Sequence, residues 1–226
     1  MSALAELLAV IAPPACLACR APLARAGAPV CADCLRALPW LRGVRCSRCA
    51  LPRHRDGICP ARRAAFERAW APLAYEGVAR DLVAALKFRA ALPAAHVMAA
   101  HLAANLPPDL RVRAGALVAV PAHAGRRRRR GYDPAGLLAA ALAARTGLEL
   151  SDCLRREGRG ARQVGAGRAQ RRRAGRIEVV LARPPPVVAV LIDDVHTTGA
   201  TLEACARALR SGGCRRVEAV TYARTL

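Results

Sequence analysis

Aromatic residues make up only 3 % of this 226-residue chain: Trp40, Phe66, Trp70, Tyr75, Phe88, Tyr132 and Tyr222. So few flat side chains argue against a surface built to stack many bases. Lysine is rarer still. Lys87 is the sole lysine among 37 basic residues, so no GxxxxGK[ST] loop exists and a P-loop ATPase is excluded. Gly165-x-Gly167 does not extend into a dinucleotide fingerprint. No uninterrupted apolar run reaches the roughly 18 residues of a membrane span. Ser2 to Pro14 is apolar but carries Glu6 and lacks a basic start, so it does not read as a secretion signal. The expected location is cytoplasmic.

Positive charge is what the chain has in excess. Its formal net charge is +21, against only 16 acidic residues. Such a balance favours polyanionic partners, nucleic acid or pyrophosphate, over a merely solvated surface when the arginines cluster. They do cluster: Arg126 to Arg130 are unbroken, and Arg155 to Arg173 is Arg-rich with few apolar anchors, which predicts a mobile loop.

Seven of the ten cysteines precede residue 60, and without an export signal they argue for metal rather than disulfides. That asymmetry divides the chain into a Cys-rich module, 1–64, and a second domain, 65–226. Cys16-x-x-Cys19 and Cys31-x-x-Cys34 form two knuckles whose four sulfurs suit one tetrahedral structural Zn²⁺. Cys46-x-x-Cys49 is followed by a solitary Cys59. Its fourth ligand is either His54 or absent, which would leave free buried thiols.

Hydrophobic periodicity predicts a helix over Ala3–Ile11, a strand over Ala69–Tyr75, and helices over Val78–Phe88 and Pro93–Leu106, the latter ended by Pro107-Pro108. Leu117–Val120 reads as a strand, His123–Tyr132 as an arginine cluster and Leu137–Ala144 as a helix. Ile177–Leu181, Val187–Asp193 and Val217–Tyr222 read as strands, with a helix over Gly199–Arg210. Alternating α and β elements predict an α/β fold with an open, mostly parallel sheet flanked by helices.

The chemistry concentrates in Val187 to Leu202, VVAVLIDDVHTTGATL. A buried strand stops at Asp193-Asp194, a Thr/Gly turn follows, and a helix begins. Thr197, Thr198, Gly199, Ala200 and Thr201 offer hydroxyls and free N–H groups at a helix start, which favours phosphate. Asp193 and Asp194 repel phosphate but accept hydrogen bonds from sugar hydroxyls or hold a divalent cation. Together they suggest a sugar phosphate; the plainer alternative is a strand–turn–helix with a capping threonine. His196 reads as a loop residue, not a catalyst.

Val190 to Leu202 resembles the 13-residue phosphoribosyl-pyrophosphate (PRPP) signature of type I phosphoribosyltransferases. The resemblance implies that Asp193 and Asp194 hold the ribose hydroxyls while Thr197 to Thr201 wrap the 5′-phosphate. Along nearly its whole length the chain is similar to the ComF (ComFC) family of competence-associated proteins, whose layout is a Cys-rich module before a type I phosphoribosyltransferase domain. The three knuckles, Lys87-Phe88-Arg89, Val120-Pro121 with His123, Arg126, Arg128, Arg130, Gly131 and Tyr132, and Gln163, Gly165, Arg168 and Arg171 to Arg173 carry the likeness, as does the closing Ala223-Arg224-Thr225-Leu226. It implies PRPP binding with Mg²⁺, pyrophosphate held by Arg126, Arg128, Arg130 and Arg168, structural Zn²⁺, and a link to DNA uptake. The alternative it leaves is a non-catalytic factor that binds single-stranded DNA, works with competence machinery proteins and uses PRPP as a regulatory ligand. Type I relatives often form homodimers; no seam for one is legible here. Three positions depart from the family: Arg62 where a cysteine is usual, Asp133-Pro134 for Asn-Gln, and Ala174 for an asparagine.

Overall fold

The computed structural model describes residues 14–23, 28–54, 56–113, 115–157 and 177–226. In chain order its elements are α1 (Ala32–Arg36), β1 (Arg68–Trp70), β2 (Leu73–Ala74), α2 (Gly77–Phe88), α3 (Pro93–Asn105), α4 (Pro108–Arg113) and β3 (Ala116–Ala119). There follow α5 (Ala124–Arg130), α6 (Pro134–Thr146), β4 (Glu149–Leu150), β5 (Leu154–Arg156), β6 (Val179–Leu181), β7 (Val188–His196), α7 (Ala200–Ser211) and β8 (Arg216–Arg224). The main sheet runs β1-β8-β7-β3-β4, with β2 also on β8, and every pair in it is parallel.

Side-chain alternation along β7 explains why the sheet is covered on both faces. Val190 and Ile192 enter a core with Leu82 and Leu86 of α2, Met98 and Leu102 of α3, and Leu138 and Leu142 of α6. Ala189 and Leu191 enter the other core, with Leu202, Cys205 and Leu209 of α7. The open, mostly parallel sheet with flanking helices matches the sequence expectation. From β3 the chain moves outward to β4, whereas from β7 it moves the other way to β8. The carboxyl ends of β3 and β7 therefore flank a topological switch point, where open α/β sheets bind ligands.

Several boundaries differ from expectation for identifiable reasons. The predicted first strand is split at Ala71-Pro72, since Pro72 brings no N–H to the ladder. There Leu41 N donates to Pro72 O at 2.8 Å and Ala74 N to Pro39 O at 2.9 Å, so the segment after α1 covers the sheet edge. Strand β6 is not in the main sheet but pairs antiparallel with β5. Pro107-Pro108 does not simply end a helix; Pro108 starts α4, where a missing N–H costs nothing. The Arg126–Arg130 run forms the body of α5, closed by Gly131 in the left-handed region at φ 78°. Strand β7 runs through the acidic pair to His196 instead of stopping at it. The predicted helix Ala3–Ile11 and most of the Arg155–Arg173 loop lie outside the described residues. Among the described residues no helix is long and apolar enough to cross a membrane.

Asp133-Pro134 has a structural role. Asp133 caps α6, its Oδ1 accepting from Ala135 N at 3.1 Å and Gly136 N at 3.4 Å, while Pro134 occupies the first turn. Its Oδ2 accepts from Ala122 N at 3.0 Å, which ties the residues after β3 to the cap. Asp133→Ala should cost about 1–2 kcal/mol of stability in urea unfolding; an unchanged midpoint would mean that the cap is idle.

Candidate sugar-phosphate site and metal centres

Asp193 and Asp194 are consecutive on β7, so their side chains leave opposite faces of the sheet. Asp194 is 4 % exposed and turns toward α2, where Lys87 Nζ donates to its Oδ1 at 2.7 Å. A buried carboxylate without such a partner would be strongly destabilising. The only lysine in the chain is thus assigned to the second aspartate. Asp193 is half-buried, and its Oδ1 accepts from Asp194 N at 2.9 Å. Burial, and then the neighbouring charge of Asp194, push the Asp193 carboxyl well above the ordinary carboxylate range. Among the described residues no basic side chain pairs with Asp193 in a salt bridge.

The turn that follows is shaped from below. Gly199 has φ 81°, and a Cβ there would lie 2.9 Å from His196 Nε2, so both conformation and space require glycine. No side chain caps α7, and its nearest substitute is a long contact from Ala200 N to Thr198 Oγ1 at 3.4 Å. The N–H groups of the first turn thus have no firm side-chain cap, and Thr197 and Thr198 beside them are exposed. His196 is no loop residue. It is 2 % exposed at the end of β7, edge-on to Phe66, and its Nδ1 is buried with no hydrogen-bond partner among the described residues. Burial, then the charge of Arg224, hold its pKa down to about 4. Arg224, 5 % exposed, donates to the carbonyls of His196 and Thr197 at 2.6 and 2.5 Å. Sequence reasoning gave neither residue a role; the only signal was the likeness of the closing Ala-Arg-Thr-Leu.

Arg126 and Arg128 are exposed on α5, and Arg130 lies over the Phe88 ring, 5.2 Å from its centroid. A cleft of about 450 Å³ at the end of β3 is lined by Pro121, Ala122, Arg127, Asp133, Arg155 and Arg156, among others. Neither the acidic pair nor the Thr197–Thr201 turn lines this cleft, and of the α5 arginines Arg127 does, not Arg126, Arg128 or Arg130. Arg168 lies outside the described residues.

Two groups of metal-ligating side chains are assembled. Cys16, Cys19, Cys31 and Cys34 bring their ligand atoms within 4.8 Å of one another, and so do Cys46, Cys49, His54 and Cys59. In the first, Cys31 N donates to Cys16 Sγ and Cys34 N to Cys31 Sγ, both at 3.4 Å, as knuckle loops do. In the second, His54 Nε2 lies 3.2 Å from Cys49 Sγ and supplies the ligand that Arg62 cannot. Four sulfurs, or three with an imidazole, fit the tetrahedral preference of Zn²⁺. The two centres pack on opposite cores: Cys16 and Cys34 join the α2/α3/α6 core, and Cys49 joins the α7 core.

Residues 7–62 match the family model described as a double zinc ribbon domain. The chain carries an amino-terminal zinc module followed by the parallel α/β domain. It is also similar to a solved structure described as the allosteric regulatory enzyme of purine biosynthesis, with a TM-score of 0.39 and 19 % identity over 56 % of this chain and 25 % of that one. The chain thus spans about a quarter of that structure's length. No curated protein matches the chain.

Two outcomes follow from these geometries. Elemental analysis of the purified chain should find two zinc ions, with Cys16→Ser/Cys31→Ser and His54→Ala each removing one; a single ion in the parent would refute the second centre. His196 stays neutral when folded down to about pH 4, whereas in the unfolded chain it protonates near 6.5. Between those values the unfolded state binds more protons, so the stabilisation present above pH 6.5 is lost as pH falls. It amounts to about 3 kcal/mol over the full window. Urea midpoints from pH 7 to 5.5 should fall less steeply for His196→Gln than for the parent; parallel slopes would contradict the assignment.

Proposed function

We propose that this chain is a phosphoribosyltransferase-type protein that binds PRPP at the carboxyl end of β7. The observation that carries the reading is the coincidence, within one strand–turn–helix, of a cation-hungry carboxylate and an uncapped helix start. Asp193 is half-buried with no basic side chain in a salt bridge to it among the described residues, and Gly199, at φ 81°, gives the turn its tight shape. The likeness of Val190 to Leu202 to the PRPP signature supports it, as does the ComF-like layout of zinc module before α/β domain.

In this reading the Thr197–Thr201 turn takes the 5′-phosphate through its N–H groups and hydroxyls. Asp193 accepts hydrogen bonds from the ribose hydroxyls, and the same carboxylate would hold Mg²⁺, which supplies charge neutralisation of the leaving pyrophosphate. Asp194, buried and paired with Lys87, keeps the end of β7 in place. A nucleophile forms a bond to the ribose C1 as the bond from C1 to the pyrophosphate oxygen breaks, through a cation-like sugar. What the protein contributes is position and electrostatics. Arg126, Arg128, Arg130 and Arg168 are the positive groups assigned to pyrophosphate. The setting the family likeness implies is DNA uptake.

A second reading, a single-stranded-DNA-binding factor for which PRPP is a regulatory ligand, is favoured by one feature. Both tryptophans of the chain, Trp40 and Trp70, line a groove of about 510 Å³ together with Arg42, Arg45 and Asn105. Trp70 is buried, so Trp40 beside the arginines is the aromatic side chain left to meet a single strand there.

Calorimetry with PRPP and Mg²⁺ should show saturable binding that Asp193→Asn weakens by about tenfold or more, the effect of losing a charge-assisted contact. Unchanged affinity would defeat the site assignment. Pyrophosphate released from PRPP in the presence of an acceptor separates transferase from sensor; binding without release favours the sensor.

A further inference from the structure

Arg224 ends β8 with its guanidinium buried. A charge in that position needs a counter-ion or a set of acceptors. Among the described residues it pairs with no carboxylate, and its bonds go to backbone carbonyls. Nε donates to Cys49 O at 2.9 Å, and Nη1 to His196 O, Thr197 O and Thr225 O at 2.6, 2.5 and 2.8 Å. Two of these carbonyls open the phosphate turn; a third belongs to a ligand of the second metal centre. A second strut runs parallel to the first. Arg48, inside the Cys46–Cys49 knuckle, donates through Nη2 to Phe66 O at 3.2 Å, and the Phe66 ring meets His196 edge-on at 6.2 Å.

The bonds fix more than distance. In a trans peptide the N–H of each residue points opposite to the carbonyl before it. With the His196 and Thr197 carbonyls drawn onto Arg224, the N–H groups of Thr197 and Thr198 face away from the guanidinium, toward the exposed side of the turn. The positive charge then lies directly behind those amides, in a buried setting where it is weakly screened. On the other flank, three thiolates, an imidazole and Zn²⁺ sum to one net negative charge beside Arg224.

We propose that Arg224 is a positioning residue that locks the Thr197–Thr201 turn to the second metal centre, so that anion affinity at the turn depends on that centre being filled. This rests on the sugar-phosphate reading for the identity of the anion, but not for the mechanical link. Losing the knuckle frees the Cys49 carbonyl, the guanidinium loses one anchor, and the two turn carbonyls lose their common clamp. Zinc content would thereby gate ligand binding with no zinc in the binding site.

The test uses the full zinc-loaded chain with Arg224→Met, Arg224→Lys and, leaving the arginine in place, His54→Ala. Two readouts are taken: the affinity for ribose 5-phosphate by calorimetry, and amide hydrogen exchange across residues 197–202. Arg224→Met and His54→Ala should each weaken binding by about tenfold, the loss expected for hydrogen bonds to a charged group. Arg224→Lys, which keeps the charge but not the fork, should recover part of it. Exchange at 197–202 should accelerate in Arg224→Met and His54→Ala while the amides of β3 and β7 stay protected. Unchanged exchange at the turn in both variants overturns the proposal, and so does acceleration of the β3 and β7 amides as well, which would mean a merely structural role. If ribose 5-phosphate does not bind the parent chain, the sugar-phosphate reading fails, and the exchange data alone decide the link.

Discussion

A single ion pair sets the terms for the end of the central strand. Strand β7 is apolar up to Ile192 and then presents two carboxylates in succession, one to each side of the sheet. The inward one, Asp194, sits in a position that tolerates a charge only if a cation meets it, and Lys87 of α2 does so. Everything near the switch point is arranged around that contact. Helix α2 must approach β7 with its last turn, which leaves Phe88 at the surface under Arg130. With Asp194 neutralised, Asp193 is the carboxylate left without a basic partner among the described residues.

The zinc module is joined to both sides of this arrangement. Beside the first centre, Leu17 O accepts from Arg89, two residues after Lys87, at 2.6 Å. At the second centre, Cys49 O accepts from Arg224, which also holds the His196 and Thr197 carbonyls at the start of the turn. Each knuckle therefore touches an arginine that flanks one half of the site, the acidic pair on one side and the turn on the other. A small ribbon with little core of its own would not fold without metal. Resting it against two cores of the parallel domain lets the metal contribute to the order of the larger domain too.

The sequence carried the local parts of this account and not the distant ones. The apolar run of β7, the Thr/Gly turn and the periodicity of α7 are all contiguous, so strand, turn and helix could be read from residue types alone. The spacing of Cys16, Cys19, Cys31 and Cys34 was equally legible. His54 could only be offered as an alternative, because its place at the second centre depends on how the Gly57 and Cys59 segment folds back. The Arg126–Arg130 run showed little but its charge, yet helical turns accept arginine well, and Gly131 closes the helix it forms. Asp133-Pro134 stood out only as a departure from the family's Asn-Gln, and its role as a helix cap shows in the bonds of Asp133 to Ala135 N and Gly136 N. Most instructive are His196 and Arg224, whose burial follows from the β7–β8 register, His196 against Arg224, which no local pattern reveals.

The account stands on the claim that the turn after β7, and not the arginine helix, is where the phosphate of a sugar phosphate lodges. The most direct measurement is a crystal structure of the zinc-loaded chain with ribose 5-phosphate. The account predicts the phosphate on the amides between Thr198 and Leu202, the ribose hydroxyls on Asp193, and Lys87 still paired with Asp194. A phosphate held by Arg126 to Arg130, with the Thr197–Thr201 turn free of ligand, would contradict it.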